Sequence, residues 1–99
     1  MRAVWTQGAY TVKPGRADEF IRIWRELARH AVADFGAARP TILRDRDDTS
    51  VFVTFGAWDS LDTLGRFRSS PFVTQRAVAL DDLVERGEAR IMDELQLED

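Results

Sequence analysis

The chain of 99 residues contains no cysteine, and histidine, lysine and tyrosine occur once each, as His30, Lys13 and Tyr10. Without cysteine there is no disulfide framework, thiolate nucleophile, iron–sulfur cluster or thiolate zinc site. With one histidine, His-rich metal sites and multi-histidine catalytic arrangements are excluded as well. Long apolar runs are missing, and none approaches the length that crosses a bilayer. Near the start, Val4-Trp5 is followed by Thr6-Gln7-Gly8, which is no apolar signal segment, so a cytoplasmic protein is expected. An excess of basic charge is also lacking: 14 basic residues face 17 acidic ones, for a net charge of −3. The arginines alternate with acids, as in Arg44-Asp45-Arg46-Asp47-Asp48, and leave no stripe to neutralise phosphates. Nucleic acid is therefore not an expected partner.

What is present is enough for one domain. Apolar residues make up 44% of the sequence, and a chain of this size buries roughly 65% of its unfolded surface. No repeat, linker or low-complexity stretch divides residues 1–99.

Val4–Val12 is rich in β-branched and aromatic residues and reads as a strand, stopped by Lys13-Pro14-Gly15. The period then changes. Phe20, Ile23, Trp24, Leu27, Ala31 and Phe35 recur at helical spacing, Asp18 and Glu19 occupy the first turn, and Gly36 is a stop signal. Thr41–Arg44 is a second extended piece, followed by a charged connection from Asp45 to Ser50. Val51–Trp58 is the strongest strand signal. Asp59 and Ser60 are N-cap types before Leu61, Leu64 and Phe67, and Ser69-Ser70-Pro71 restarts a helix whose stripe is Val73, Ala77, Leu80 and Val84. Gly87 is read as a break and Ala89–Leu97 as the last strand. The order is β-α-β-β-α-β, an α+β, ferredoxin-like arrangement with a four-stranded antiparallel sheet and both helices on one face.

Val51, Val53, Phe55 and Ala57 lie on the sheet face away from the helices. Leaving Val53 and Phe55 in water forfeits about 1.5–3 kcal/mol of burial each. A second sheet covering that face, and so a homodimer, is expected.

On the helix side, Thr6, Gly8 and Tyr10 share a face of the first strand, and Phe52, Thr54, Gly56 and Trp58 a face of the third. Small residues at the centre of a sheet leave a hollow under the helices, walled by Tyr10, Phe52 and Trp58 and closed by Trp24, Phe35, Phe67 and Phe72. Such a composition suits a small-molecule pocket; the alternative is a filled aromatic core whose glycines mark twist or bulges. His30 falls at the edge of the apolar stripe, one turn after Glu26, as a general base oriented by that carboxylate or as a surface residue. Arg76, bordering Phe72 and Leu83, is a candidate to hold an anionic oxygen or a solvated arginine. No phosphate loop, nucleophile elbow or metal-ligand spacing is found.

Val12-Lys13-Pro14-Gly15 followed by Phe20, then Phe52-Val53-Thr54-Phe55-Gly56-Ala57-Trp58-Asp59-Ser60, then Ser70-Pro71-Phe72, resemble the antibiotic biosynthesis monooxygenase family over residues 4 to 97. The resemblance implies a dimeric α+β barrel. Haem-degrading members of the family need a histidine, an asparagine and a tryptophan where this chain has Ala77, Gly8 and Phe67, so haem is not an expected cofactor. Quinone-forming members act on polycyclic phenols without flavin, haem or metal. Trp58 matches their tryptophan after the third strand, while Thr54 and Leu64 replace an asparagine and a tyrosine. A third branch holds small dimers with isomerase-like, signalling or unassigned roles. The implied activity is a cofactor-independent monooxygenase acting on an aromatic or polyketide-like phenolic metabolite with molecular oxygen. Trp58, His30 and Arg76 are its candidate catalytic residues, and Tyr10, Thr6, Trp24, Phe52, Thr54, Phe67 and Phe72 its candidate substrate-binding residues, with no metal. The alternatives are a non-catalytic dimeric binder of a small aromatic molecule, or an isomerase or cyclase.

Overall fold

A computed structural model describes residues 3–98. Along these residues run β1 (Val4–Val12), α1 (Ala17–Phe35), β2 (Thr41–Arg44), β3 (Val51–Trp58), α2 (Leu61–Ser69), α3 (Pro71–Leu83) and β4 (Val84–Asp93). All strand pairs are antiparallel, in the order β2-β3-β1-β4. The expected α+β, β-α-β-β-α-β architecture is the one observed. Its second helix is divided at Ser70-Pro71: proline takes the first helical position, where its missing N–H is no loss, and the Ser70 hydroxyl donates to the Phe67 carbonyl at 2.8 Å.

Local signals act where the sequence places them. Gly36 adopts the left-handed conformation at φ 66° and its N–H returns to the Ala31 carbonyl, closing α1. Ser60 caps α2, its hydroxyl oxygen accepting from the Thr63 N–H at 3.1 Å. β3 alternates between the two faces: Phe52, Thr54, Gly56 and Trp58 are buried, while Val51, Val53, Phe55 and Ala57 are only half-buried. Among the described residues, no helix is long and apolar enough to cross a membrane.

The register brings the helix-facing residues into rows. Tyr10, Gly8, Thr6 and Val4 stand opposite Phe52, Thr54, Gly56 and Trp58 on one side. On the other side, Gly87, Ala89 and Ile91 stand opposite Tyr10, Gly8 and Thr6. Directly opposed residues share a face, so the middle rows carry mostly small side chains. Two buried clusters flank them. One is Val12, Phe20, Ile23, Phe52 and Leu83; the other is Ala31, Ala37, Trp58 and Leu64.

Several sequence expectations are corrected. The last strand is Val84–Asp93 rather than Ala89–Leu97, and Leu95 and Leu97 lie beyond it, 73% and 91% exposed. Gly87 is inside the strand rather than a break, because the Tyr10 ring passes over it. A Cβ on Gly87 would stand 3.0 Å from Tyr10 Cδ1. A register shift at Thr11/Val12 lets Val84 pair with Val12, so Val84 opens β4 instead of ending the helical stripe. Within α3 the buried side chains are Val73 and Leu83, and Ala77 is exposed.

Candidate functional site

A cavity of about 140 Å³ lies under the helices between the two buried clusters. β1 supplies Thr6, Gly8 and Tyr10, β3 supplies Thr54, Gly56 and Trp58, α1 supplies Trp24, and α2 supplies Phe67 and Arg68. The sheet floor is low at Gly56, while the Tyr10 phenol lies over Gly8. The walls are aromatic, and the Trp58 and Phe67 rings pack with centroids 4.9 Å apart.

Few polar groups face this space. Trp58 Nε1 donates to Thr6 Oγ1 at 3.4 Å, and the Thr6 hydroxyl donates to the Gly56 carbonyl at 3.4 Å. Both are long compared with the ~2.9 Å of a strong bond, so the indole N–H is weakly engaged. The Thr54 side chain lies beside the Tyr10 phenol and favours its ionised form. Burial pushes the phenol pKa above the ordinary tyrosine value, opposed in part by Thr54 and the positive charge of Arg68. Tyr10 is thus a neutral phenol at physiological pH. Arg68 is the charged side chain of the lining, and among the described residues no Asp, Glu or His joins it there. No cluster of three or more His, Cys, Asp or Glu fit to hold a metal ion occurs among the described residues. Trp24, Ala28 and Pro40 line both the cavity and an open groove between α1 and β2, whose rim carries Arg25, Arg29 and Arg39.

Six of the candidates named from the sequence meet at this cavity: Trp58, Thr6, Tyr10, Trp24, Thr54 and Phe67. Phe52 does not reach it. It is 2% exposed and packs on Phe20 at 5.2 Å, in the neighbouring core.

His30, Phe72 and Arg76 lie instead in a shallow groove formed by α1 and α3, together with Glu26 and Arg29. His30 stacks on Phe72 at 4.3 Å and touches Phe35 and Phe67. Its carboxylate partner is Asp34, at 2.7 Å from Nδ1, and not Glu26. Glu26 is drawn away by two arginines, accepting from Arg76 Nε at 2.9 Å and from an Arg22 terminal nitrogen at 2.9 Å. The Arg76 hydrogen bond, then its charge and that of Arg22, hold the Glu26 carboxyl below the usual glutamate range. Arg76 is further committed, with its guanidinium 3.4 Å from the Phe72 ring centroid and a bond to the Phe72 carbonyl. Phe67 separates His30 from Trp58. The structure therefore does not bring His30 or Arg76 to the cavity. Arg68 is the residue the sequence reading missed; its signal is the four-residue spacing from Leu64, which puts both on the cavity side of α2.

The family model for antibiotic biosynthesis monooxygenases matches residues 4–77. No curated protein sequence matches the chain. Among solved structures, the chain is similar to SnoaB, a cofactor-independent oxygenase from Streptomyces nogalater, with 26% identity, a TM-score of 0.86, and coverage of 96% of this chain and 95% of that one. PA3566 from Pseudomonas aeruginosa shares the fold at 19% identity, with a TM-score of 0.83 and 97% of each chain covered. So does a conserved protein from Methanosarcina mazei Go1, at 16% identity, with a TM-score of 0.84 and coverage of 93% and 92%. The match from β1 into α3, on a fold these relatives share almost end to end, makes the chain a member of the antibiotic biosynthesis monooxygenase family.

Proposed function

We propose that the protein is a cofactor-independent monooxygenase that oxidises an electron-rich phenolic metabolite with molecular oxygen in the Trp58 cavity. The observation that carries this reading is the lining itself: aromatic walls, neutral donors from Trp58, Thr6 and Tyr10, and one cation, Arg68. Similarity to a cofactor-independent oxygenase supports it.

Triplet oxygen reacts slowly with closed-shell molecules, so the substrate must supply the first electron. A phenolate gives one electron to dioxygen, and the resulting radical and superoxide couple into a C–O bond. The peroxide takes a proton, its O–O bond breaks, and water departs with the hydrogen of that ring carbon, leaving a quinone carbonyl. One oxygen atom ends in the product and the other in water. Among the described residues the cavity lining carries no carboxylate or imidazole, so in this reading the phenol loses its proton to solvent and enters as the anion. Arg68 and the arginines on the rim of the adjoining groove favour that anion, and donors held in a dry cavity stabilise the developing oxyanion.

The protein acts in this reading as a homodimer joined through the outer sheet face, where Val51, Val53, Phe55 and Ala57 are half-buried and Leu43 and Met92 are exposed. Phe55→Glu is expected to convert the dimer mass to the monomer mass in native mass spectrometry.

The lack of a proton acceptor in the lining favours a second reading, a dimer that binds an aromatic metabolite without turning it over. Oxygen uptake separates the two. Consumption of one dioxygen per phenol, with no turnover under anaerobic conditions, supports the oxygenase. Ligand binding without oxygen uptake supports the binder, and turnover without oxygen supports an isomerase or cyclase.

A further inference from the structure

The Tyr10 ring lies flat across the centre of the sheet. Its far end covers Gly8: a Cβ there would stand 2.5 Å from the phenol oxygen and 2.6 Å from Cε2. Its near edge covers Gly87, where a Cβ would stand 3.0 Å from Cδ1. Only two glycines, one on its own strand and one directly opposite on β4, let the ring lie this low. Phe20 packs on it, with ring centroids 5.5 Å apart.

In this position the ring is a partition. On one side is the Trp58 cavity, of about 140 Å³. On the other is a second hollow of about 260 Å³ between α3 and β4, lined by Ala77, Leu80 and Val84 among others. Tyr10 and Ala89 line both. A closed apolar space of ~150 Å³ takes one benzene ring, whereas pockets for larger metabolites start near ~300 Å³. Neither hollow alone reaches that size and the two joined would; toward α1 and β2 the cavity adjoins the open groove described above.

We propose that Tyr10 limits the substrate on the side of α3 and β4, walling off the hollow behind it so that a single-ring phenol is accommodated and a fused-ring one cannot extend that way. This rests on the reading of the cavity as a site for aromatic phenols. It makes Tyr10 a specificity determinant and the glycines at 8 and 87 its seat. Fused-ring phenols are kept out of the hollow behind the wall, and displacing the wall admits them there.

The test is anaerobic titration, read by tryptophan fluorescence because Trp24 and Trp58 line the cavity. The probes are methylhydroquinone, with one ring, and dithranol, a three-ring hydroxyanthrone. The wild-type protein is expected to prefer methylhydroquinone, and Tyr10→Ala to shift the affinity ratio toward dithranol by about tenfold or more, the scale of a change in pocket size. Gly8→Ala supplies an independent route, since the new methyl group forces the phenol end of Tyr10 off its seat while the ring remains. It is expected to shift the ratio the same way. Tyr10→Phe retains the wall and is expected to keep the wild-type preference. An unchanged ratio in folded Tyr10→Ala or Gly8→Ala, or wild-type protein that prefers dithranol, overturns the proposal. Binding of neither probe by any form overturns it together with the reading of the cavity. The expected ratio shift without oxygen uptake leaves Tyr10 as the wall of a binding protein and removes only the oxygenase.

Discussion

Replacing Trp58 with phenylalanine separates what the indole ring does from what its N–H does. The ring is 6% exposed and packs on Phe67 at 4.9 Å, so an aromatic replacement keeps most of the contact. The lost hydrogen bond to Thr6 is 3.4 Å long, and a bond of that length contributes at the low end of the usual ~0.5–1.5 kcal/mol. With the volume left unfilled, the stability cost is about 1–2 kcal/mol, well below the ~3–5 kcal/mol of truncation to alanine. At ~4–8 °C of melting temperature per kcal/mol for a domain of this size, the variant remains folded at assay temperature. If the N–H stabilises an oxyanion that exists only in the transition state, its loss lowers kcat by ~10²–10³, as removal of one oxyanion donor does. Binding of the ground-state phenol changes by no more than about fivefold, or ~1 kcal/mol. Oxygen-uptake kinetics give kcat and KM, and anaerobic fluorescence titration gives Kd. A variant that turns over at the wild-type rate refutes the assignment, as does one that loses only affinity, since uniform weakening leaves kcat intact.

Other outcomes follow from the packing and the charges. Phe20 is fully buried against Tyr10 and Phe52, so Phe20→Ala lowers the unfolding free energy by ~3–5 kcal/mol in urea denaturation; a loss under 1 kcal/mol would show that the site collapses freely. Because the chain has one tyrosine, its ultraviolet phenolate absorbance reports Tyr10 alone. The transition lies above the ordinary tyrosine value, raised by burial, and Arg68→Gln moves it higher still by removing a charge that favours the phenolate. The Glu26 carboxyl is held low by Arg76 and Arg22, so the tie it makes between α1 and α3 is fully present above the unfolded glutamate pKa. That stability is lost as pH falls through the lower native value. The difference in melting temperature between wild type and Glu26→Gln is therefore expected at neutral pH and absent in strong acid. A difference unchanged by acid would show that the carboxylate charge has no part in it.

Elements whose signals are local were legible in the sequence. β1, β2 and β3 carry β-branched and aromatic runs with stops at each end, α1 carries a helical stripe closed by Gly36, and Ser60 and Pro71 mark the helix starts. Even the faces were legible on β3, because a period of two assigns Phe52, Thr54, Gly56 and Trp58 to one side whatever the tertiary fold. The last strand was legible as an element but not in its bounds, since its start rests on Val84 meeting Val12 and on Gly87 lying opposite Tyr10, 77 residues earlier. A glycine reads as a break until the neighbour that needs the space is known. The site divided along the same line. Rows on one sheet face could be paired from the sequence, which brought Thr6, Tyr10, Thr54 and Trp58 together. His30 and Arg76 lay on helix borders, and periodicity gives only the angle around a helix, not which neighbour that angle meets. α3 meets α1 there, so Arg76 takes Glu26 and His30 is left to Asp34.

The sequence by itself determined the order of elements and a hollow of small residues ringed by aromatics, because these follow from periods and residue sizes along the chain, and its motifs carried the resemblance to the family. Only the tertiary structure decided that Tyr10 lies down between Gly8 and Gly87, that Arg68 is the cation of the cavity, and that His30 stands behind Phe67. Those facts depend on which distant residues share a space, and no local pattern carries that information.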